Sequence, residues 1–196
     1  MCVSVLALIV NFAQAETVNS QKVSGFYVGG GLGNPSGKFE DNDGDSFDMK
    51  MNDTSFHLLA GYQINRVFAL EVEYVKYGKD EYKDFDPFSI SMSGNVGYTF
   101  SSGVRPFLVL GLGVTDLRSN TEFPAGVIFQ DDDLSVHYGA GLDYTPGALA
   151  GLTFRAAYMA DFVNAELTGY NGRSWRQLDM LDVDLNSVYG ALIYKF

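Results

Sequence analysis

The sequence predicts an all-β fold: an eight-stranded, antiparallel, up-and-down barrel that crosses a membrane with its strands. Three observations lead there. Apolar and polar residues alternate at period two in windows of about ten residues. The connections between the windows alternate between short and long. After Ala15 no apolar run approaches the ~20 residues that a spanning helix needs, so a membrane could be crossed only by strands.

The clearest windows are residues 54–64, 67–77, 88–100 and 134–144. In residues 67–77, Phe68, Leu70, Val72 and Tyr74 share one face, and Ala69, Glu71 and Glu73 share the other. In residues 134–144, Leu134, Val136, Tyr138, Ala140 and Leu142 oppose Ser135, His137, Gly139, Gly141 and Asp143. Residues 24–33, 104–114, 152–162 and the closing stretch 187–196 follow the pattern more loosely. An eight-stranded barrel has an interior just wide enough for its own side chains. The face rich in glycine, serine and charge fits inside it, so the large apolar face points outward, where lipid is its natural solvent.

The short connections are 65–67, 101–103 and 145–147, and the long ones are 34–53, 78–87, 115–133 and 163–184. Short turns on one side and long loops on the other are the asymmetry of outer-membrane barrels. Three-residue turns oppose Tyr62 to Leu70 and Phe100 to Val104, which keeps the apolar faces together; a one-residue slip would flip the next strand. In the hairpin around the 145–147 turn, Thr153 is expected to face Asp143, with Arg155 diagonal to it.

Residues 1–15 carry no charge and run through an apolar core to Ala13-Gln14-Ala15, the pattern of a cleaved signal peptide. Residues 16–196 are then the barrel domain. No Lys or Arg precedes the apolar core, which points to a start further upstream. The single cysteine, Cys2, lies in this segment, leaving no thiol for disulfide, metal or redox chemistry in the mature chain. A net charge of −11 argues against a nucleic-acid partner.

Several pieces in order carry a family resemblance. They are Gly25-Phe26-Tyr27-Val28-Gly29-Gly30-Gly31-Leu32-Gly33, then Gly61-Tyr62-Gln63-Ile64 leading through a turn to Ala69-Leu70-Glu71-Val72-Glu73-Tyr74. Arg105-Pro106-Phe107, Gly111-Leu112-Gly113 and the closing Tyr194-Lys195-Phe196 complete them. Taken together, the mature chain resembles the small outer-membrane barrel family that includes the membrane domain of outer-membrane protein A and the opacity-type "porin family" surface proteins. The resemblance implies an integral outer-membrane protein, a monomer, in contact with lipid and lipopolysaccharide, with external loops that can meet a host or cell-surface ligand. It also implies that Tyr194 and Phe196 form the signal read by the barrel-assembly machinery. Ala191 departs from the family pattern by standing where a glycine is expected, with Gly190 one residue earlier.

The alternation puts six charged residues inside: Glu71, Glu73, Asp143, Arg155, Asp161 and Lys195. Buried charges must be paired or watered. They read as a salt-bridge network plugging the lumen or, as the alternative, as the lining of a narrow path for ions or small solutes. A carboxylate-pair catalyst built on Glu71 and Glu73 lacks substrate access. His57 and His137 also point inward. Neither has the serine two residues on that the lipid A deacylase barrels use: Leu59 and Gly139 stand there. The expectation is therefore a non-enzymatic protein with no cofactor.

The loops contribute two further features. Residues 41–48 and Asp131-Asp132-Asp133 are acidic, but 41–48 lacks the Gly and Glu of a calcium-binding loop at their required positions. They read as solvated loops that can meet cation-coated lipopolysaccharide. Phe123, Phe129, Tyr170, Arg173, Trp175 and Arg176 are of the residue types enriched at binding hot spots. With loops as the contact surface, the expected function is a structural and surface-interaction role of the adhesin-like kind. A small pore is the alternative.

Overall fold

The structure, a computed structural model, describes residues 24–41, 46–49, 51, 53–79, 86–118, 127–130, 132–149, 151–170 and 175–196. Its strands are β1 (Gly25–Asp41), β2 (Ser46–Met49), β3 (Ser55–Gln63), β4 (Phe68–Lys76) and β5 (Phe88–Gly97). They continue with β6 (Val104–Asp116), β7 (Val127–Gln130), β8 (Asp132–Tyr144), β9 (Leu152–Tyr170) and β10 (Trp175–Lys195). Every pairing is antiparallel, and β1 closes on β10 from Tyr27↔Lys195 to Asp41↔Leu181, giving the eight-stranded barrel that the alternation predicts. The four-residue strands β2 and β7 add to β1 and β9 outside that closed ring.

The outward face is apolar along most of the spanning strands. Leu110 is 67% exposed and Met92 66%, whereas Glu71 facing inward is 1% exposed. Aromatic residues gather at both edges of this belt. At the short-turn end are the pairs Phe26–Tyr62, Tyr98–Phe100 and Tyr194–Phe196, with ring centroids 4.7, 4.9 and 5.2 Å apart. At the other end Tyr74 and Phe88 lie 6.0 Å apart. Two such girdles flank the hydrocarbon-facing band of a transmembrane barrel. Short turns mark the periplasmic end of this architecture.

The first turn has the expected register, Tyr62↔Leu70. Asn65 sets it locally: its side-chain oxygen accepts from the Val67 and Phe68 backbone N–H groups, both at 2.8 Å, an Asx-type turn. Phe100 likewise bonds back to Val104, its N–H donating to that carbonyl at 2.9 Å.

The β8–β9 hairpin departs from the expected register. Asp143 directly opposes Arg155, and Thr153 opposes Thr145 through a 2.7 Å hydroxyl contact rather than facing Asp143. The connection between β8 and β9 is wider than Thr145-Pro146-Gly147, because Leu149 N–H bonds back to Pro146 and Gly151 makes the exit with φ +82°. The widening moves the register by an even number of residues, so the apolar face stays outward.

Segments 34–53 and 163–184, expected as loops, are largely strand. The 19-residue β9 and 21-residue β10 stay paired up to Trp175↔Tyr170, and β1 follows β10 past Pro35. Pro35 falls where β1 changes neighbours, since pairing with β3 ends at Gly33 and pairing with β2 starts at Gly37. On that side there is no ladder for its missing N–H to interrupt. Expected loop segments 78–87 and 115–133 contain only the short β7 beyond the barrel strands among the described residues.

Candidate functional site

The lumen is built by alternation. Each inward position is every second residue of a strand, and the hydrogen-bonded register decides which of them meet. Glycines make the close approach possible. A Cβ on Gly29 would lie 2.7 Å from the Ile193 side chain, one on Gly31 2.7 Å from Ala191 Cβ, and one on Gly33 2.6 Å from Tyr189 Cβ. The glycine run of β1 therefore provides room for the inward side chains of β10.

Nearer the short-turn end, Arg155 of β9 occupies the axis. Its Nη1 and Nη2 donate to Glu71 of β4 at 3.0 and 2.9 Å, and its Nε and Nη2 donate to Asp143 of β8 at 2.8 and 3.1 Å. Glu71 Oε1 also accepts from Tyr27 Oη at 2.6 Å and from Asn95 Nδ2 at 2.9 Å. The Phe107 ring lies 4.4 Å from the Arg155 guanidinium carbon, within cation–π range. The planar fork of arginine suits this bidentate geometry, and the density of partners makes a buried charge tolerable.

A second polar layer lies further from the short turns, two residues on from Glu71 along β4. His57 Nδ1 contacts Glu73 Oε1 at 2.9 Å, and His137 Nδ1 contacts Asp161 Oδ1 at 2.9 Å. His137 Nε2 faces Glu73 Oε2 at 3.5 Å, which joins the two pairs. Asp161 Oδ2 also accepts from Tyr77 Oη at 2.5 Å and Ser89 Oγ at 2.6 Å. His57 stacks on Tyr189 at 3.9 Å, with its Nε2 near Ser55 and Ser187.

Beyond it, at the end opposite the short turns, the lumen turns apolar. Val75, Tyr77, Leu117, Val163, Val183 and Leu185 form one buried cluster with Met51 packed against it. At the short-turn end lies a polar cavity of about 70 Å³, bordered by Tyr27, Gln63, Arg105, Asp143, Arg155 and Lys195. Lys195 Nζ donates to Gln63 Oε1 at 2.5 Å.

Of the six charged residues placed inside from the sequence, Glu71, Asp143 and Arg155 meet in one layer, Glu73 and Asp161 in the next, and Lys195 borders the cavity. Arg105 belongs with them and was missing from that set. Its signal was present, because it shares the parity of inward Phe107 and Val109. The bridging role of the two histidines was also missed. His137 directly opposes Asp161, and the same hairpin width that separated Asp143 from Arg155 on paper separated this pair. Tyr194 and Phe196 lie on the lipid face at the chain end. Phe123 and Arg173 lie outside the described residues, as do residues 1–15; for Phe129, Tyr170, Trp175 and Arg176 the described structure is the strand backbone alone. Among the described residues no group of three or more His, Cys, Asp or Glu could hold a metal ion.

A closed antiparallel barrel with a lipid-facing belt and a charged interior defines an integral membrane barrel of the bacterial outer membrane. The chain belongs to the outer membrane protein beta-barrel domain family, whose model matches residues 3–196. Among solved structures it is similar to neisserial surface protein A, with TM-score 0.56, 21% identity, and 88% of this chain and 98% of that one covered. It is also similar to OprG of Pseudomonas aeruginosa (TM-score 0.52, 14% identity, 89% and 98% covered). The outer membrane protein AlkL gives TM-score 0.55 at 14% identity, with 93% and 95% covered. At these identities the likeness is one of fold. No curated protein matches the chain in sequence.

Proposed function

We propose that this protein is a non-enzymatic surface scaffold: a sealed barrel that holds a raised β-sheet outside the membrane for contact with other surfaces. The observation that carries the reading is the length of the β9–β10 hairpin. A spanning strand needs about 9–11 residues, and β9 and β10 have 19 and 21, paired as far as Trp175↔Tyr170 with one irregularity between Gln177 and Asp179. With β1 and β2 on one side and β7 on the other, the extension forms a five-stranded wall ordered β2-β1-β10-β9-β7. Such a platform is more ordered than a set of loops, so a partner binding it gives up less conformational entropy.

The alternative, a small pore, is disfavoured by the ion layer, the histidine layer and the apolar cluster stacked along the lumen. A catalytic role is disfavoured because the carboxylates and histidines of the two polar layers are engaged with Arg155 and with one another deep in the lumen. On this reading the protein acts as a monomer in contact with lipopolysaccharide. Its Tyr194-Lys195-Phe196 end serves as the signal for the barrel-assembly machinery.

The test is adherence to cultured epithelial monolayers of a non-adherent bacterium displaying the chain. Replacing residues 165–180 by a tight turn removes the wall's central hairpin and leaves the spanning strands. The reading expects adherence to fall to the background of the non-displaying strain. Equal adherence by the shortened protein, folded and surface-exposed, would overturn it.

A further inference from the structure

The two arginines of the lower layer are unequally paired. Arg155 takes up both oxygens of Asp143 at 2.8 and 3.1 Å. Arg105 has the shared Oδ2 at 3.6 Å, a bond from Nη2 to the Val67 carbonyl at 3.3 Å and the Phe107 ring centroid 5.7 Å from its guanidinium carbon. Its side chain is only 6% exposed, and its Nε is a buried donor with no partner among the described residues. A buried cation in this position carries a desolvation cost that a distant, already committed carboxylate offsets poorly.

Arg105 borders the 70 Å³ cavity at the short-turn end. The charged residues on that cavity are Arg105, Arg155 and Lys195 against Asp143, three cations to one anion. Arg155 also grips Glu71, so its charge is matched, and Arg105 is the guanidinium of this lining without a close carboxylate of its own. This largely basic lining stands in a chain whose net charge is −11. At roughly 10–15 Å³ per water, the space suits several waters or one phosphate-sized anion. Hydroxyls of Thr99, Thr145 and Thr153 also line it; Thr99 and whichever of Thr145 and Thr153 accepts in their mutual bond can donate to an oxyanion.

We infer that this cavity is a binding site for a small oxyanion, a phosphate or carboxylate group, that enters from the periplasmic end and pairs with Arg105. The guanidinium fork matches the oxygen spacing of either group. The site lies at the end of the barrel opposite the external wall and is independent of that wall's role.

The test follows the Arg105 Nε–H signal of the refolded, ¹⁵N-arginine-labelled chain in phosphate-free amine-oxide micelles. The signal is assigned by its absence from Arg105→Lys. Sodium phosphate and sodium acetate are titrated against sodium chloride at matched ionic strength. A saturable shift with phosphate or acetate, not reproduced by chloride, is expected, with affinity about tenfold weaker in Lys195→Gln. A signal that stays still, drifts without saturation or moves equally with chloride overturns the proposal. So does an unchanged affinity in Lys195→Gln, which keeps the test valid if the Arg105 variant does not fold. Repeating the measurement in phospholipid nanodiscs separates two sources of the same chemistry. A signal already at its bound position before phosphate is added assigns the oxyanion to a lipid headgroup. A signal at the free position assigns it to a dissolved ion.

Discussion

Asp143 and Arg155 stand directly opposite one another across the β8–β9 hairpin, and their side chains meet in two hydrogen bonds of 2.8 and 3.1 Å. The same guanidinium crosses the lumen to Glu71 of β4, so one side chain ties together strands on opposite sides of the barrel.

Removing that side chain strands two buried carboxylates. Arg155→Met is expected to destabilise the barrel by about 3–5 kcal/mol, the range for breaking one side of a buried ion pair, read by urea unfolding in lipid vesicles. Adding Glu71→Gln to Arg155→Met should recover part of the loss, because fewer uncompensated charges remain. Strict additivity of the two substitutions would show that the pair is not coupled.

Lumenal and lipid-facing glycines should behave oppositely. A Cβ on Gly61 would press on the Tyr27 ring and sit 2.6 Å from the Leu70 carbonyl oxygen, a backbone atom that cannot swing away. Gly61→Ala is expected to cost about 1–3 kcal/mol, as overpacking does, and to weaken the Tyr27–Glu71 bond. The nearest atom to a Cβ on lipid-facing Gly94 is 3.9 Å away. Gly94→Ala should stay within about 0.5 kcal/mol of the parent. Equal effects in the same unfolding assay would mean that the lumen is looser than its geometry.

The lipid belt makes its own demand. Leu110 is 67% exposed near the middle of β6. Leu110→Arg puts a charge against hydrocarbon and is expected to cost about 2–4 kcal/mol, measured by the same vesicle unfolding. A soluble barrel would tolerate that change with little loss.

Much of this was legible in the sequence because a strand's period of two is rigid. One reading of Phe68, Leu70, Val72 and Tyr74 against Glu71 and Glu73 assigns both faces of β4 and, by turn parity, those of its neighbours. Turn width was not legible. Thr145-Pro146-Gly147 looks like a complete turn, yet the chain continues to Gly151 before β9 begins. That even-numbered difference leaves the faces right and the partners wrong, which hid both Asp143–Arg155 and His137–Asp161. The raised hairpin was also hidden. Outside the membrane its outward residues Asn164, Asp182, Asp184 and Asn186 are polar, so the contrast with lipid-facing residues is lost and the segment reads as loop. Its inward Val163, Val183 and Leu185, which help form the apolar cluster, carried the remaining signal.

On the proposed reading the lumen is sealed, by Arg155 with its carboxylates, by the Glu73–His137–Asp161 layer and by the apolar cluster around Leu117 and Leu185. Single-channel recording of the refolded chain in a planar lipid bilayer tests it most directly, with folding verified by a heat-dependent gel shift. A sealed barrel predicts silence from the folded protein, and silence again from Arg155→Met, since two further barriers remain. Reproducible stepwise conductance from the unaltered chain, resized when Arg155 or Glu71 is neutralised, would contradict the scaffold and make this protein a pore.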